Sequence, residues 1–415
     1  MTAADAQNAF GLLRRHPAFR TLWASRAVSF LGGSLSTVAL ILYVADRTGA
    51  GSAVALLMLV GELLPTLLSP VAGALADRLA PRRLLLACEL GQGVMMALVA
   101  LLLPNLALLL VLIVAKSAFA VVFDPAGRAV LPRLVADHQL EPANAALGLG
   151  TNGLDVAGPL LAAALLPVLG LRGILWLDVA SFGLSAVLLS RLPRLGRVGS
   201  VGPAPGIWAE AREGLRYVAD NRMVRAVAVG FWAVVLCTGI DDVVLVFLVR
   251  DELRGGDVAV SVLYAAVGLG LLVGFLLLAV GGRARPALVL VVLGFAVSAG
   301  GNLLTGLAWA VPVAFACQAV RGLGIAMIDT GLPAAVARAV PEHLRGRVFA
   351  VTYGGVSLAV ALSYVVGGAA LGAVSPRLVL VVAGGLGLVA AGLTAVAIRA
   401  ARTGGTGRAR RLRSV

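Results

Sequence analysis

Single ionisable side chains interrupt several long apolar runs of this chain, and their types could support chemistry. Two are lone carboxylates: Glu62 lies about 11 residues before Gly73, roughly 16 Å along a helix, and Asp155 lies about 13 residues into its own run. If the runs cross a membrane, both carboxylates lie near the middle of the bilayer. We interpret them as candidate proton carriers. For Glu62 the alternative is a neutral, hydrogen-bonded side chain with a structural role.

Other runs contain charges that could bind a charged solute. Arg26, Lys116 and Arg321 are basic, and Asp241 and Asp242 are adjacent acids. Charges in membrane helices usually face a protein interior or a water-filled cavity, where the bases would suit an anion and the acids a cation or a proton. Two alternatives are open: the arginine of the first run could extend to the inner headgroups, and the two acids could form an outer surface pair.

No catalytic or metal-binding pattern accompanies these charges. The three histidines fall in connecting segments, and the three cysteines lie inside apolar runs without paired or metal-like spacing. The phosphate-binding pattern G-x4-G-K-[ST] is missing from the sequence. We therefore expect no enzymatic activity, no cofactor and no metal, and a proton gradient as the source of energy.

The elements that must position these residues are membrane helices. The chain has 415 residues, of which 60% are hydrophobic and 13% are charged, and its mean hydropathy is +0.99. No water-soluble core of this size requires such a composition. Apolar windows of about 20 residues predict an all-α membrane protein with twelve spans. The spans are 21–45, 53–75, 84–103, 105–123, 143–168, 172–190, 225–249, 258–281, 287–306, 308–330, 348–371 and 377–399.

Basic residues predict the orientation of these spans. The 34 basic residues, all arginine except Lys116, fall mostly in alternate connecting segments. The positive-inside rule then places both termini in the cytoplasm, with the protein in the cell membrane. The first 20 residues lack a small-residue cleavage site, so we expect the first span to be retained. Because the arginines are scattered through every inner segment, the net charge of +14 indicates attraction to anionic lipids and not to nucleic acid.

A short charged loop joins the second and third spans and reads G-A-L-A-D-R-L-A-P-R-R over residues 73–83. Gly73 allows two helix ends to approach closely, and Asp77 can accept hydrogen bonds from the N-terminal amides of the next helix. In this position the loop resembles the signature loop of the major facilitator superfamily. The resemblance implies a conformational gate made of Gly73, Asp77, Arg78, Pro81, Arg82 and Arg83.

An internal repeat agrees with that resemblance. An offset of 205 residues aligns Lys116 with Arg321, Asp124 with Asp329, Arg78 with Arg283, and Pro81 with Pro286. The offset is half of the chain, so we interpret the protein as two copies of a six-helix unit.

The family fold implied by the resemblance is two pseudo-symmetric six-helix bundles around a central cavity, lined by spans 1, 4, 7 and 10. Carried over to this chain, that fold would place five charged residues at the cavity, namely Arg26, Lys116, Asp241, Asp242 and Arg321. An inner gate is expected at Asp124, Arg128, Asp329, Arg345 and Arg347.

Two stretches resemble more specific patterns within the superfamily. Residues 116–135, K-S-A-F-A-V-V-F-D-P-A-G-R-A-V-L-P-R-L-V, are similar to the macrolide-efflux-like branch. In the fifth span, Gly153, Gly158 and Pro159 resemble the glycine-proline motif of the family's antiporters, although alanines replace its trailing glycines. The resemblance implies a drug:proton antiporter.

The domain layout follows from these patterns. Residues 207–218 have an amphipathic pattern that predicts a helix on the inner membrane surface. The predicted segments are a cytoplasmic N-terminus (1–20), a first bundle (21–190), a linker that contains this helix (191–224), a second bundle (225–399) and a basic, disordered cytoplasmic tail (400–415).

The leading hypothesis is a secondary active transporter that exports a lipophilic small molecule, a drug or a secondary metabolite, by proton-coupled alternating access. The alternatives within this class are an exporter of an anionic metabolite such as a siderophore, which the buried bases would suit, and an importer. A different class is a non-transporting membrane sensor or assembly protein. One chain supplies a complete cavity, so a monomer is the expected state.

Overall fold

The computed structural model describes residues 11–61, 63, 79–136, 139–193, 207–280 and 286–412, and these residues are organised almost entirely as helices. The helices are Pro17–Thr48 (α1), Gly51–Gly61 (α2), Pro81–Leu102 (α3), Leu106–Val130 (α4), Leu140–Ser190 (α5), Ile207–Asp220 (α6), Arg222–Thr238 (α7), Asp241–Phe247 (α8), Asp257–Val280 (α9), Ala287–Gly306 (α10), Val311–Ala339 (α11), Glu342–Ala370 (α12) and Pro376–Leu412 (α13).

Ten helical segments of the described chain are long and apolar enough to cross a membrane. The predicted second span is described only through α2, and α5 contains both the fifth and the sixth predicted spans. Gly170 separates the two halves of α5, with φ 63° and ψ 178°, a backbone conformation that glycine adopts readily. The multi-pass, all-α prediction is therefore confirmed, and twelve spans are consistent with the structure.

Local sequence explains where several helices begin and end. Pro17 and Pro81 occupy the first turns of α1 and α3, where the missing amide hydrogen costs nothing. Gly49, in the left-handed conformation, ends α1. At the start of α7 the Asn221 side chain accepts hydrogen bonds from two backbone amides and so caps the helix.

The chain divides into two compact units, each with its own packing. Unit 1 comprises residues 1–203 and 255–268, and unit 2 comprises residues 204–254 and 269–415, so the boundary falls within α9. In unit 1, α1 packs on α5, and α3 packs on α4 and α5. In unit 2, α10 packs on α11 and α13, while α7 packs on α12 and α13.

A glycine–serine contact supports the 205-residue repeat. In unit 1 a Cβ at Gly158 would overlap the hydroxyl of Ser34 on α1. In unit 2 the same offset places Gly239 opposite Ser363, and a Cβ at Gly239 would lie 3.3 Å from the serine oxygen. The two units therefore use the same close helix contact with the small and the larger residue exchanged.

Two predicted segments have helical structure. The linker helix is present as α6 and belongs to unit 2. The last helix, α13, continues to Leu412, over residues for which the sequence predicts a disordered tail. Arginine and alanine, which are frequent in this tail, are good helix formers and extend a helix that the last span has already started.

Candidate functional site

A buried ion pair connects α8 and α11 in unit 2. The Arg321 Nη2 atom lies 2.6 Å from Oδ2 of Asp241, and the side chains are 12% and 1% exposed. Helix α7 ends at Thr238, and α8 starts after a two-residue interruption, so the acid lies in the first turn of α8. An ion pair in such a low-dielectric environment is destabilising to break, because removal of one partner leaves the other charge buried.

The neighbouring acid points to a different helix. Tyr364 of α12 donates its hydroxyl hydrogen to Oδ2 of Asp242 at 3.3 Å. Asp241 itself is fully buried, so the alternative of an outer surface pair of acids is wrong for this residue. Sequence identified both acids as candidates, but it could not show that they contact separate helices.

Uncharged polar side chains lie buried in the same unit. Asn302 donates to the backbone oxygen of Thr238 at 3.3 Å, and Gln318 donates to the Thr305 hydroxyl at 3.1 Å. Within the described chain, the side-chain oxygens of Asn302 and Gln318 have no hydrogen-bond partner. A buried acceptor of this kind suits water or the donor of a bound solute. Neither amide is among the residues predicted from sequence, although a polar residue inside an apolar run is the signal that marks both.

Unit 1 has a corresponding charge pair between α4 and α5. Lys116 Nζ lies 3.9 Å from Oδ2 of Asp178, which is buried, and the ammonium group lies 5.5 Å from the centre of the Phe182 ring. Ser36 on α1 donates to the same carboxylate oxygen at 2.6 Å, so three helices meet at this charge. Lys116 is among the candidates predicted from sequence, and its partner Asp178 is not.

The repeat relates the two pairs. Adding 205 to position 36 gives position 241, so Ser36 and Asp241 are equivalent residues beside equivalent bases. In unit 2 the residue at this position, Asp241, supplies the carboxylate of the charge pair. In unit 1 that position is a serine, and the acid, Asp178, comes from α5. The repeat thus conserves the location of the charge pair but not the helix that supplies the carboxylate.

The arginine of the first span lies inside unit 1. The Arg26 guanidinium carbon lies 5.6 Å from the centre of the Phe123 ring, and its Nη1 atom is buried. A Cβ at Gly127 would come within 2.9 Å of Nη1, so the glycine leaves room for the arginine. The alternative in which this arginine extends to the headgroups is therefore not supported, and a position inside the bundle is favoured.

Glu89 adds a buried acid that the candidate residues did not include. It lies on α3 and is fully buried, with Ser29 and Ser185 nearest to its carboxyl group, although neither forms a hydrogen bond of normal geometry. The Arg26 charge is close enough to interact with it. Glu89 and Asp178 are thus two fully buried acids among the described residues of unit 1, beside the partly buried bases Arg26 and Lys116.

Some predicted site residues are placed only in part. Glu62, Gly73, Asp77 and Arg78 lie outside the described residues. Asp124, Arg128, Gly153 and Asp155 lie within helices α4 and α5, but their side chains are not described. The remaining members of the two motifs, Pro81, Gly158 and Pro159, are buried, and Arg83 is exposed. Arg82 donates to the backbone oxygen of Ser190, which connects the start of α3 to the end of α5.

The inner-gate candidates of the second half contact the linker helix. Arg347 on α12 forms ion pairs with Glu210 and Glu213 of α6, the first at 3.5 Å. Arg345 donates to the backbone oxygen of Val340 at 3.3 Å. Asp329 is exposed on α11. In the described chain, the carboxylates that pair with Arg347 thus come from the linker and not from α11.

Comparisons with known proteins agree with this architecture. The sequence model of the Major Facilitator Superfamily matches residues 22–316. Macrolide efflux protein A of Streptococcus pyogenes is 27% identical over 364 residues, covering 84% of this chain and 87% of that protein. An uncharacterized MFS-type transporter of Bacillus subtilis (strain 168), YfiS, is 26% identical over 375 residues, covering 86% and 87%. Among solved structures, a POT family transporter in complex with 5-aminolevulinic acid has a TM-score of 0.74 at 13% identity, covering 93% and 97%.

Proposed function

The chain belongs to the Major Facilitator Superfamily, and we propose that this transporter is a proton-coupled exporter of a lipophilic small molecule. The observation that carries the proposal is its similarity to Macrolide efflux protein A, which extends over 84% of the chain. The superfamily membership supports transport, and the efflux relatives support the direction. The cell membrane is the expected location, with both termini in the cytoplasm and the monomer as the working unit.

The buried charge pairs favour a neutral or cationic substrate over an anionic one. Lys116 and Arg321 each lie within 4.0 Å of a carboxylate in their own unit. An anionic substrate would have to replace that carboxylate and leave it buried without its counter-charge, which costs several kcal/mol. A lipophilic cation or a neutral molecule does not face this cost. The exporter of an anionic metabolite is therefore the less supported alternative.

Carboxylates are the groups expected to carry the coupled proton, because no histidine lies in a predicted span. The two lone acids Glu62 and Asp155 remain the proposed carriers. The geometry adds Asp241 as a third, since proton uptake by this acid would remove its attraction to Arg321, 2.6 Å away. Loss of that attraction is the kind of differential contact that can bias two conformations in alternating access.

Contacts at the inner ends of the helices would then set which side is open. Arg82 holds the start of α3 to the end of α5 in unit 1, and Arg347 holds α12 to the linker helix in unit 2. The signature loop, with Asp77 and Arg78, is proposed to act with them as the cytoplasmic gate. We expect these contacts to break when the transporter opens inward.

The test uses purified protein in proteoliposomes with an imposed pH gradient. Lumenal pH is followed while lipophilic cations, neutral macrolide-like compounds and anionic chelators are added separately. The proposal expects proton movement with the first two classes. Proton movement with chelators alone would select the anion exporter instead.

Variants then locate the coupling. Glu62→Gln with Asp155→Asn, and Asp241→Asn separately, should uncouple transport from protons. Glu252→Gln is the matched control, because it removes an acid from a partly exposed ion pair with Arg377, 3.2 Å away. Intact coupling in all the carboxylate variants would refute the assignment. Absence of transport in folded protein with every compound would favour the non-transporting class.

A further inference from the structure

A cavity of about 210 Å³ lies within unit 2, where α7 and α10 begin and α11 ends. Its wall is mainly apolar and includes Met223, Val227, Leu288 and Ala335. Two arginines also line it, Arg338 in the last turn of α11 and Arg402 in α13. None of the lining residues in the described chain is acidic. The cavity therefore combines an apolar wall with a positive charge of two.

Its dimensions and lining argue against a complete substrate molecule. Pockets for drug-sized ligands usually measure about 300–1,000 Å³, so a cavity of about 210 Å³ is too small for a complete substrate of the proposed class. Water can hydrate the two arginines, but it finds no hydrogen-bond partner on the apolar part of the wall. An amphiphile with an anionic end and an apolar end satisfies both parts of the lining.

The surrounding surface identifies lipid as the neighbour of this cavity. Helix α13 exposes apolar side chains every three or four residues, at Leu378, Val382, Leu386, Val389, Leu393 and Val396. Helix α10 exposes Val289 and Leu293 beside the cavity. Such a stripe on a membrane-spanning helix is the surface that contacts acyl chains.

The arginines are placed at headgroup depth. Arg402 follows Pro376, at the start of α13, by 26 residues, which is roughly 39 Å along a helix. That distance exceeds the hydrocarbon core of about 30 Å and reaches the headgroup layer. Arg338 is exposed, and so are Arg222 and Arg225 at the start of α7. This end of unit 2 is thus strongly basic where a bilayer has its phosphates.

We propose that the cavity is a binding site for an anionic phospholipid of the cytoplasmic leaflet. Arg338 and Arg402 bind the phosphate, because the guanidinium group matches its oxygens in a two-point contact. The first part of an acyl chain lies against Met223, Val227 and Leu288. Basic pockets between membrane helices on the cytoplasmic side suit anionic headgroups.

The bound lipid would join elements that the inner gate uses. The cavity lining includes Ala339, whose backbone oxygen accepts a hydrogen bond from Tyr217 of the linker helix at 2.9 Å. The lipid therefore fixes the end of α11 next to the helix that pairs with Arg347. This inference concerns the inner end of unit 2 and does not depend on the identity of the transported substrate.

Native mass spectrometry of the full chain in detergent tests the site. Phosphatidylglycerol, phosphatidylcholine and glycerol phosphate are titrated separately. The wild type should bind phosphatidylglycerol more tightly than phosphatidylcholine. In Arg338→Gln/Arg402→Gln the phosphatidylglycerol affinity should fall by about tenfold or more, since each lost charge-assisted hydrogen bond is worth about 1.5 kcal/mol or more. Equal binding of glycerol phosphate would contradict the role of the apolar wall.

Two further variants make the result specific. Arg14→Gln/Arg15→Gln removes two exposed arginines elsewhere on the inner side. This control should change the phosphatidylglycerol affinity by less than about twofold, which corresponds to a binding free energy change of roughly 0.4 kcal/mol. Ala335→Leu fills the cavity while keeping both of its arginines and should also weaken phosphatidylglycerol binding. Equal losses in both arginine pairs, or unchanged binding in a folded Ala335→Leu protein, would overturn the proposal.

Discussion

The equivalence of positions 36 and 241 can be tested by moving an acid between helices. Asp178→Ala leaves the Lys116 ammonium group without the carboxylate that lies 3.9 Å from it. At an effective dielectric constant of about 20, two unit charges at this distance attract by about 4 kcal/mol, and breaking a buried pair costs about 3–5 kcal/mol. The variant should therefore be clearly less stable than the wild type.

A second substitution should restore the lost charge pair. Ser36→Asp in the Asp178→Ala background supplies an acid at the position that is acidic in unit 2. The Ser36 hydroxyl lies 2.6 Å from the carboxylate oxygen that the first substitution removes, so the new acid can occupy that space. We expect the double variant to regain at least half of the lost stability.

Thermal unfolding in detergent, at one fixed scan rate, measures these differences. A loss of about 4 kcal/mol should lower the apparent Tm by roughly 5 °C or more. Ser36→Asn in the Asp178→Ala background is the matched control, because it has the shape of aspartate without the charge and should give no recovery. Equal recovery with asparagine and aspartate would refute the reasoning, and so would an Asp178→Ala protein as stable as the wild type.

Three other predictions follow from the described contacts. Asp241→Asn should destabilise the protein more when Arg321 is kept than when it is replaced by Gln as well, as a double-mutant cycle of melting temperatures would show. Gly158→Ser should lower the unfolding temperature, because the new side chain overlaps Ser34. Adding Ser34→Gly should restore it, since unit 2 has a glycine at the position equivalent to 34 and a serine at the position equivalent to 158. Unchanged melting of Gly158→Ser would contradict the contact. Arg347→Gln should release the linker helix and speed its cleavage by trypsin, whereas equal cleavage rates would show that these ion pairs do not hold it.

Sequence predicted the architecture well because membrane helices are encoded locally. Each span is a continuous apolar window, so the positions and order of the spans follow from the local sequence. The spans predicted at 143–168 and 172–190 correspond to the two halves of α5, which the non-helical backbone of Gly170 separates. In the basic tail, composition predicts flexibility, whereas the structure extends the preceding helix to Leu412.

The candidate site was predictable only in part, since ion pairs depend on contacts between distant residues. Charge inside an apolar run identified Lys116, Arg321 and Asp241. The pairing of Lys116 with Asp178 joins residues 62 positions apart, and no local pattern indicates it. The 205-residue offset would have directed attention to Ser36, but it would have given a hydroxyl where the charge pair needs a carboxylate.

The two units differ in the number of acids beside the buried base. In unit 1, Lys116 lies beside Asp178. In unit 2, Arg321 pairs with Asp241, and the next residue, Asp242, accepts a hydrogen bond from Tyr364. Two adjacent carboxylates repel each other, so a proton or a cation that binds to them would reduce that repulsion. One that binds to Asp178 would instead compete with Lys116 for a single acid. For the proton coupling proposed above, this difference supports unit 2 as the first place to test.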